Sequence, residues 1–161
     1  MVTASEIHGM VGVPGVVVLP FKPKHIDQIV TNPVDRRIFN SLPDLQERLQ
    51  LVSENRCAWT LNYRYEAALV MGMEYKYPTN YEAWIVPSDV ALKHGTLLSR
   101  GARRFFDKIG ERLNLRRMQI VVNVNHEPAI RWAEFLRFKR EGLMSSYGPE
   151  GDDYFMYART Y

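Results

Sequence analysis

The chain of 161 residues holds one cysteine, Cys57, and that excludes an intrachain disulfide. Its fold therefore owes nothing to an oxidising compartment. Cys57 lies in the apolar run Cys57-Ala58-Trp59 and reads as a buried, inert thiol rather than a nucleophile. Histidine is sparse: His8, His25, His94 and His126 show no H-x-x-x-H spacing, so no metal site is expected. No G-x-S-x-G, P-loop or G-x-G-x-x-G occurs, which removes the common nucleophile-elbow and nucleotide-loop chemistries. Long apolar runs are missing too. The stretch from Met10 to Phe21 is broken by Pro14 and Pro20 and is too short to span a bilayer. The first ten residues contain Glu6 and no Lys or Arg, so a basic secretory leader is not read there, and a cytoplasmic location is expected.

What is present is ordinary for a globular protein: 46% hydrophobic, 24% charged and 12% aromatic residues. A single domain of this length buries about 70% of the surface its unfolded chain exposes. The net charge of +3 permits an anionic ligand without demanding nucleic acid.

Residues 1–15, with Gly9, Gly12, Pro14 and Gly15, read as an irregular N-terminal arm ahead of one domain over 16–161. Val16 to Leu19 is a β-branched strand. Pro23 and Lys24 open a short helix with Ile26, Ile29 and Val30 on one face, interrupted by Pro33. A helix over 43–55 carries Leu45, Leu49 and Val52 at helical spacing, with Ser41 as a cap near its start. Strands over 58–63 and 67–73 suit a hairpin. A loop over 75–80 precedes a strand from Tyr81 to Val86, in which Glu82, Trp84 and Val86 share one face. The longest helix is expected over 90–113, with Leu98, Ala102, Phe105, Ile109 and Leu113 on its buried side. A strand over 118–124, a helix over 128–136 and strands over 139–146 and 154–161 complete the order. Together they predict an α/β fold, a mixed central sheet with helices on both faces.

The stretch from His126 through Ala129-Ile130 and Phe138 to Gly142, and the closing run Asp153 to Arg159, resemble the last third of the GNAT acyltransferase family. The resemblance implies a GNAT-like fold and, in an active member, acetyl-CoA as acyl donor. It also shows departures. The family's pyrophosphate loop, Q/R-x-x-G-x-G/A, corresponds to Ser88 through Thr96, which holds one glycine and has Asp89 near the helix start. Its helix tyrosine, which protonates the leaving thiolate, aligns with Ala133; His126 replaces an asparagine and Arg137 a glycine. The residues left to hold the acyl donor are Val86, through its backbone, with Lys93, His94, Gly95 and Thr96. Glu82 is the candidate general base, set against a plain solvent-facing strand residue.

A scaffold with these losses is similar to the GNAT-like internal virion proteins of short-tailed phages. That implies a cytoplasmic or virion-associated component binding phage or host proteins. The alternative is an acetyl-CoA-dependent N-acetyltransferase with an atypical site. Asp89 to Arg117 carries eight basic and three acidic residues, so Arg103, Arg104, Lys108 and Arg112 are candidate phosphate contacts for nucleic acid, or simply a solvated helix face. The tyrosines around 63–65 and 75–81 are candidates for a partner surface.

Overall fold

A computed structural model describes residues 2–29 and 33–161. Seven strands form one sheet: β1 (Val16–Pro20), β2 (Ala58–Tyr63), β3 (Glu66–Tyr77), β4 (Asn80–Pro87), β5 (Arg117–Asn123), β6 (Lys139–Met144) and β7 (Tyr154–Thr160), in the order β1-β2-β3-β4-β5-β7-β6. β1 to β4 make an antiparallel meander, β4 and β5 are parallel, and β7 lies antiparallel between β5 and β6. The sheet is mixed and helices cover both faces.

One face is packed by α1 (Ala4–Val11), α5 (Gly95–Leu113) and α6 (Glu127–Phe135), preceded by the short α4 (Asp89–Lys93). Phe105, Phe106 and Ile109 of α5 sit there with Met118 and Tyr157 of the sheet. Each such apolar side chain contributes about 1.5–3 kcal/mol on burial. The other face carries a smaller core: Phe21 and Ile29 around the 3₁₀ turn Pro23–Gln28, Leu49 of α3 (Leu45–Glu54), and Ala58, Val70 and Val86 of the strands. α2 (Pro33–Ser41) lies between that turn and α3 in sequence.

Five expectations change. Ser41 does not cap the helix expected over 43–55: it ends α2, and Asp44 is the residue that precedes α3. The N-terminal arm is not irregular: α1 occupies it, and Ile7 and Val11 are buried against α5 and the sheet. Thr3 and Glu6 form a reciprocal capping box, and Gly12 closes the helix at φ 55°. Pro33 starts a helix rather than ending one, as its fixed φ suits a first turn; Val30 lies outside the described residues. The loop expected over 75–80 shrinks to Pro78–Thr79, with Thr79 at φ 63°, because β3 and β4 stay paired to Tyr77↔Asn80. The long helix expected over 90–113 is two. Ser88 Oγ accepts from Val90 N–H and caps α4, and His94 leaves helical geometry before α5 begins.

Candidate functional site

The site follows from one feature of the sheet. β4 and β5 pair over three rungs only: Asn80↔Arg117, Tyr81↔Met118 and Glu82↔Gln119. Beyond Glu82, β4 continues against β3 to Pro87, and β5 continues against β7 to Asn123. The two parallel strands therefore part in the middle of the sheet. Between them opens a cleft of about 320 Å³. Ile85 and Pro87 line one side, Val122 and Asn123 the other, and Ser99 of α5 and Trp132 of α6 close its helical flank. The Trp132 indole N–H donates to Ser99 Oγ at 2.9 Å, linking the two helices across that flank.

The parting leaves an unpaired edge on β4. Ser88 N–H donates to Ala68 O at 2.8 Å, which fixes the phase of the antiparallel β3–β4 ladder. Register is continuous from Leu69↔Pro87 to Tyr75↔Tyr81. Trp84 and Val86 thus turn their amides to β3, while Ala83 and Ile85 turn theirs to the open side. Val86 was expected to offer its backbone to the cleft. Its amide belongs instead to the β3 ladder and its side chain to the smaller core; Ile85 supplies the cleft-facing N–H.

Glu82 stands at the apex, on the last rung before the strands part. It is not a freely solvated strand residue: its side chain is 19% exposed. Gln119 Nε2 donates to Glu82 Oε2 at 2.8 Å, and Lys76 Nζ lies 3.7 Å from the same oxygen. Lys76 also bonds Glu74, the residue facing Glu82 across the ladder, at 3.2 Å. Partial burial works against the Lys76 charge, but Glu74 and Glu82 outweigh it and hold the ammonium above its ordinary range. The Tyr147 hydroxyl is pushed up by burial and then by the Glu82 charge, which places the β6–β7 loop beside this carboxylate. Arg37 of α2 holds the same loop through Glu150 at 3.1 Å and Asp152 at 2.8 Å. Burial, then Glu74, raises the Cys57 thiol, so it is a poor nucleophile.

At the far end of the cleft, Asn123 ends β5 and is 4% exposed. Its Oδ1 accepts from Asn125 N–H at 2.9 Å, while Nδ2, itself buried, has no partner among the described residues. His126 lines the cleft just before α6. Ala133 is fully buried, as expected of a core alanine on α6.

The four residues expected to hold an acyl donor's phosphates are scattered. Gly95 lines the cleft, and Gly95 and Thr96 are the first two residues of α5, where amides have no intrahelical acceptor. Lys93 is exposed at the end of α4, and the His94 ring packs 4.8 Å from Tyr63. The basic face of α5 is largely committed within the chain. Arg104 donates to Gly12 O at 2.8 Å, Arg112 pairs with Glu6 at 3.0 Å, and Arg103 lies over Phe135; Lys108 is exposed. Of the tyrosines, Tyr63 is buried, whereas Tyr65, Tyr75 and Tyr77 are exposed at two hairpin tips. Asn123, Trp132, Lys76 and Tyr147 were not singled out from the sequence. Lys76 was findable, since reading 75–77 as strand puts it on the Glu82 face; the other three carry no local signal.

No family model matches the sequence, and no curated protein is recognisably similar to it in sequence. The solved structures are informative about fold. The chain is similar to a GNAT-family acetyltransferase from Bacillus anthracis, at 16% identity and a TM-score of 0.70, over 92% of this chain and 96% of that one. It is similar to the ribosomal-protein alpha-N-acetyltransferase RimL in complex with coenzyme A, at 16% identity and TM-score 0.72, over 91% and 94%. It is also similar to Ard1 from Thermoplasma volcanium, at 14% identity and TM-score 0.70, over 91% and 97%. The chain has the GNAT acetyltransferase fold.

Proposed function

We propose that the protein is an acyl-CoA-dependent N-acyltransferase, with acetyl-CoA as the simplest donor. The parting of β4 and β5 carries this reading. It creates an apolar cleft with one free strand edge, matched to a flexible amide-bearing arm such as pantetheine, and it leaves the Glu82 carboxylate on the last rung before the parting, beside the residues that line the cleft. The bound thioester would supply an activated acyl carbon. Gly95 and Thr96 amides, with Lys93 nearby, would hold its phosphates at the start of α5.

Ile85 N–H faces the side where a thioester carbonyl would lie and stabilises negative charge on its oxygen. Glu82 sits on the sheet face covered by α3, opposite α5 and α6, and accepts the proton that an attacking amine sheds, directly or through water. Glu74 and Glu82, offset in part by Lys76 between them, leave the acceptor's approach acidic, which suits a cationic amine.

A second reading keeps the scaffold without turnover: a virion-associated or protein-binding component of the short-tailed-phage type. α4 favours it, since a helical turn led by Asp89 fills the passage where a glycine loop would admit phosphates. Tyr65, Tyr75 and Tyr77 would then be the contact surface, with Arg104, Lys108 and Arg112 the exposed members of the basic set.

Calorimetric titration with acetyl-CoA and CoA tests the choice. Micromolar binding weakened by Lys93→Ala supports the transferase and justifies a screen of amine acceptors. No binding at millimolar ligand removes it.

A further inference from the structure

β3 is irregular at one residue, Lys76. Tyr75 pairs with Tyr81 and Tyr77 with Asn80, so Lys76 is the extra residue of a bulge and has no β4 partner. A bulge beside a site re-aims a side chain. Here the ammonium is brought to two carboxylates: Nζ donates to Glu74 Oε2 at 3.2 Å and lies 3.7 Å from Glu82 Oε2. It stays charged at neutral pH, since burial works against the ammonium but Glu74 and Glu82 outweigh it.

Glu82 is fixed from its other side. Gln119 Nε2 donates to Glu82 Oε2 at 2.8 Å, and Gln119 Oε1 accepts from Arg117 Nε at 3.1 Å, which sets the orientation of that amide. Arg117 is paired in turn with Glu141 at 2.7 Å, so it adds no free charge. Both neighbours of Glu82 hold Oε2. Among the described residues no donor reaches Oε1, which is the oxygen left to an incoming amine. The rim is open to solvent on the β3 side, where the side chains of Lys76 and Glu74 are 34% and 49% exposed.

A cationic amine approaching Oε1 meets two carboxylates and one ammonium, one net negative charge. A single positive charge balances it. A second charge on the same molecule finds the Lys76 ammonium beside the carboxylate it would pair with, and like charges within about 4 Å repel as strongly as opposite ones attract. We infer that Lys76 sets the charge of the acceptor: the site takes a primary amine bearing one positive charge and rejects diamines and longer polyamines. The inference rests on the acyl-transfer reading, with Glu82 as the carboxylate the acceptor meets. Lys76 touches none of the reacting atoms; it selects by repulsion.

The test compares the full-length protein with K76M and K76R, using butylamine and diaminobutane as probes of equal length and unequal charge. Turnover of acetyl-CoA is followed by release of the CoA thiol. Amine binding to the CoA-loaded protein is followed by NMR of the Gln119 side-chain amide, which bonds Glu82. K76M is expected to raise the diamine-to-monoamine ratio of kcat/KM about tenfold, through KM, because loss of the ammonium favours two charges over one. The shift shrinks at an ionic strength of about 1 M, and K76R keeps the wild-type ratio. A packing role for Lys76 would instead lower kcat for both amines alike. Should K76M fold poorly by circular dichroism, K76Q must show the same shift. A ratio unmoved in folded K76M or K76Q overturns the assignment and leaves acyl transfer standing. CoA binding with neither amine turned over nor moving the Gln119 amide overturns it as well, since the acceptor then does not approach Glu82. A wild type that binds no CoA overturns acyl transfer and this inference together.

Discussion

Gly72 and Trp84 face one another across β3 and β4, and a methyl group at Gly72 would overlap the indole. Gly72→Ala is expected to cost about 1–3 kcal/mol and to displace a side chain that lines the cleft. A denaturant midpoint measures the first effect and CoA affinity the second; a stable variant with unchanged binding would show that Trp84 relaxes freely. Glu82→Gln separates chemistry from folding at a neighbouring position. It keeps the Gln119 contact but removes the base, so kcat/KM should fall about 10²–10⁴-fold with the melting temperature little changed. His25 makes a different prediction. Its Nδ1 faces Thr60 Oγ1 at 2.7 Å and accepts from Lys22 N–H at 3.3 Å. Burial, then Lys24 and Lys22, lowers its pKa below 6.5. The folded state thus binds fewer protons than the unfolded one. The stability tied to neutral His25 is complete above about pH 6.5 and declines as pH falls through the lowered value. Urea midpoints across that window should show the decline in wild type and a flatter profile in His25→Gln.

Among the elements, α1 and the end of α6 show what the chain's local signals could and could not reveal. Thr3 and Glu6 have capping-box spacing, yet four glycines and prolines over 9–15 read as a loose arm. The helix holds because Ile7, Met10 and Val11 pack against the core, a tertiary gain that local punctuation does not report. The Thr3 amide and Arg112 pull the Glu6 carboxyl down to about 2. Its contribution is present above the ordinary value of 4.5 and is lost as pH falls from there toward about 2. Thr3→Ala should cost about 1 kcal/mol, read from a thermal or urea melt at neutral pH. α6 ends in the opposite way. Phe138 N–H returns to Ala133 O at 3.1 Å and Arg137 N–H to Glu134 O at 2.9 Å, with Arg137 at φ 68°. That backbone suits glycine, the residue the family resemblance places there, so the departure at 137 is a strained side chain rather than a different turn. Arg137→Gly is expected to stabilise by about 1 kcal/mol, since the Asp107 contact it forfeits is long, at 3.9 Å, and exposed. Strand order and the helix pattern after β4 were legible because alternation and helical spacing are local. The break at His94, where the backbone leaves helical geometry, was not.

At the scale of the whole molecule, the sheet is two antiparallel blocks, β1–β4 and β5-β7-β6, joined by three β4–β5 rungs. This construction explains why the candidate site was only partly legible. Glu82 could be picked from strand alternation. Asn123 and Ile85 acquire roles from where the two blocks part, a long-range property with no trace in either strand's sequence. It also makes the blocks responsive to a ligand. A molecule seated in the cleft contacts Ile85 and Pro87 on one block and Val122 and Asn123 on the other, and so replaces missing ladder contacts. If it binds only the folded state, it stabilises by RT ln(1 + [L]/Kd), about 2.7 kcal/mol at a hundredfold excess over Kd. Hydrogen exchange should locate that gain. With CoA bound, amides on the β4 edge around Ile85 and at the β5 end near Asn123 should slow the most, while the paired strands β1 and β2 gain no more than the global stabilisation allows. Protection confined to the Tyr65 and Tyr75–Tyr77 tips would place the ligand outside the cleft and shift weight to the surface-binding reading. Slowing at both cleft edges would tie the binding event to the parting of the strands.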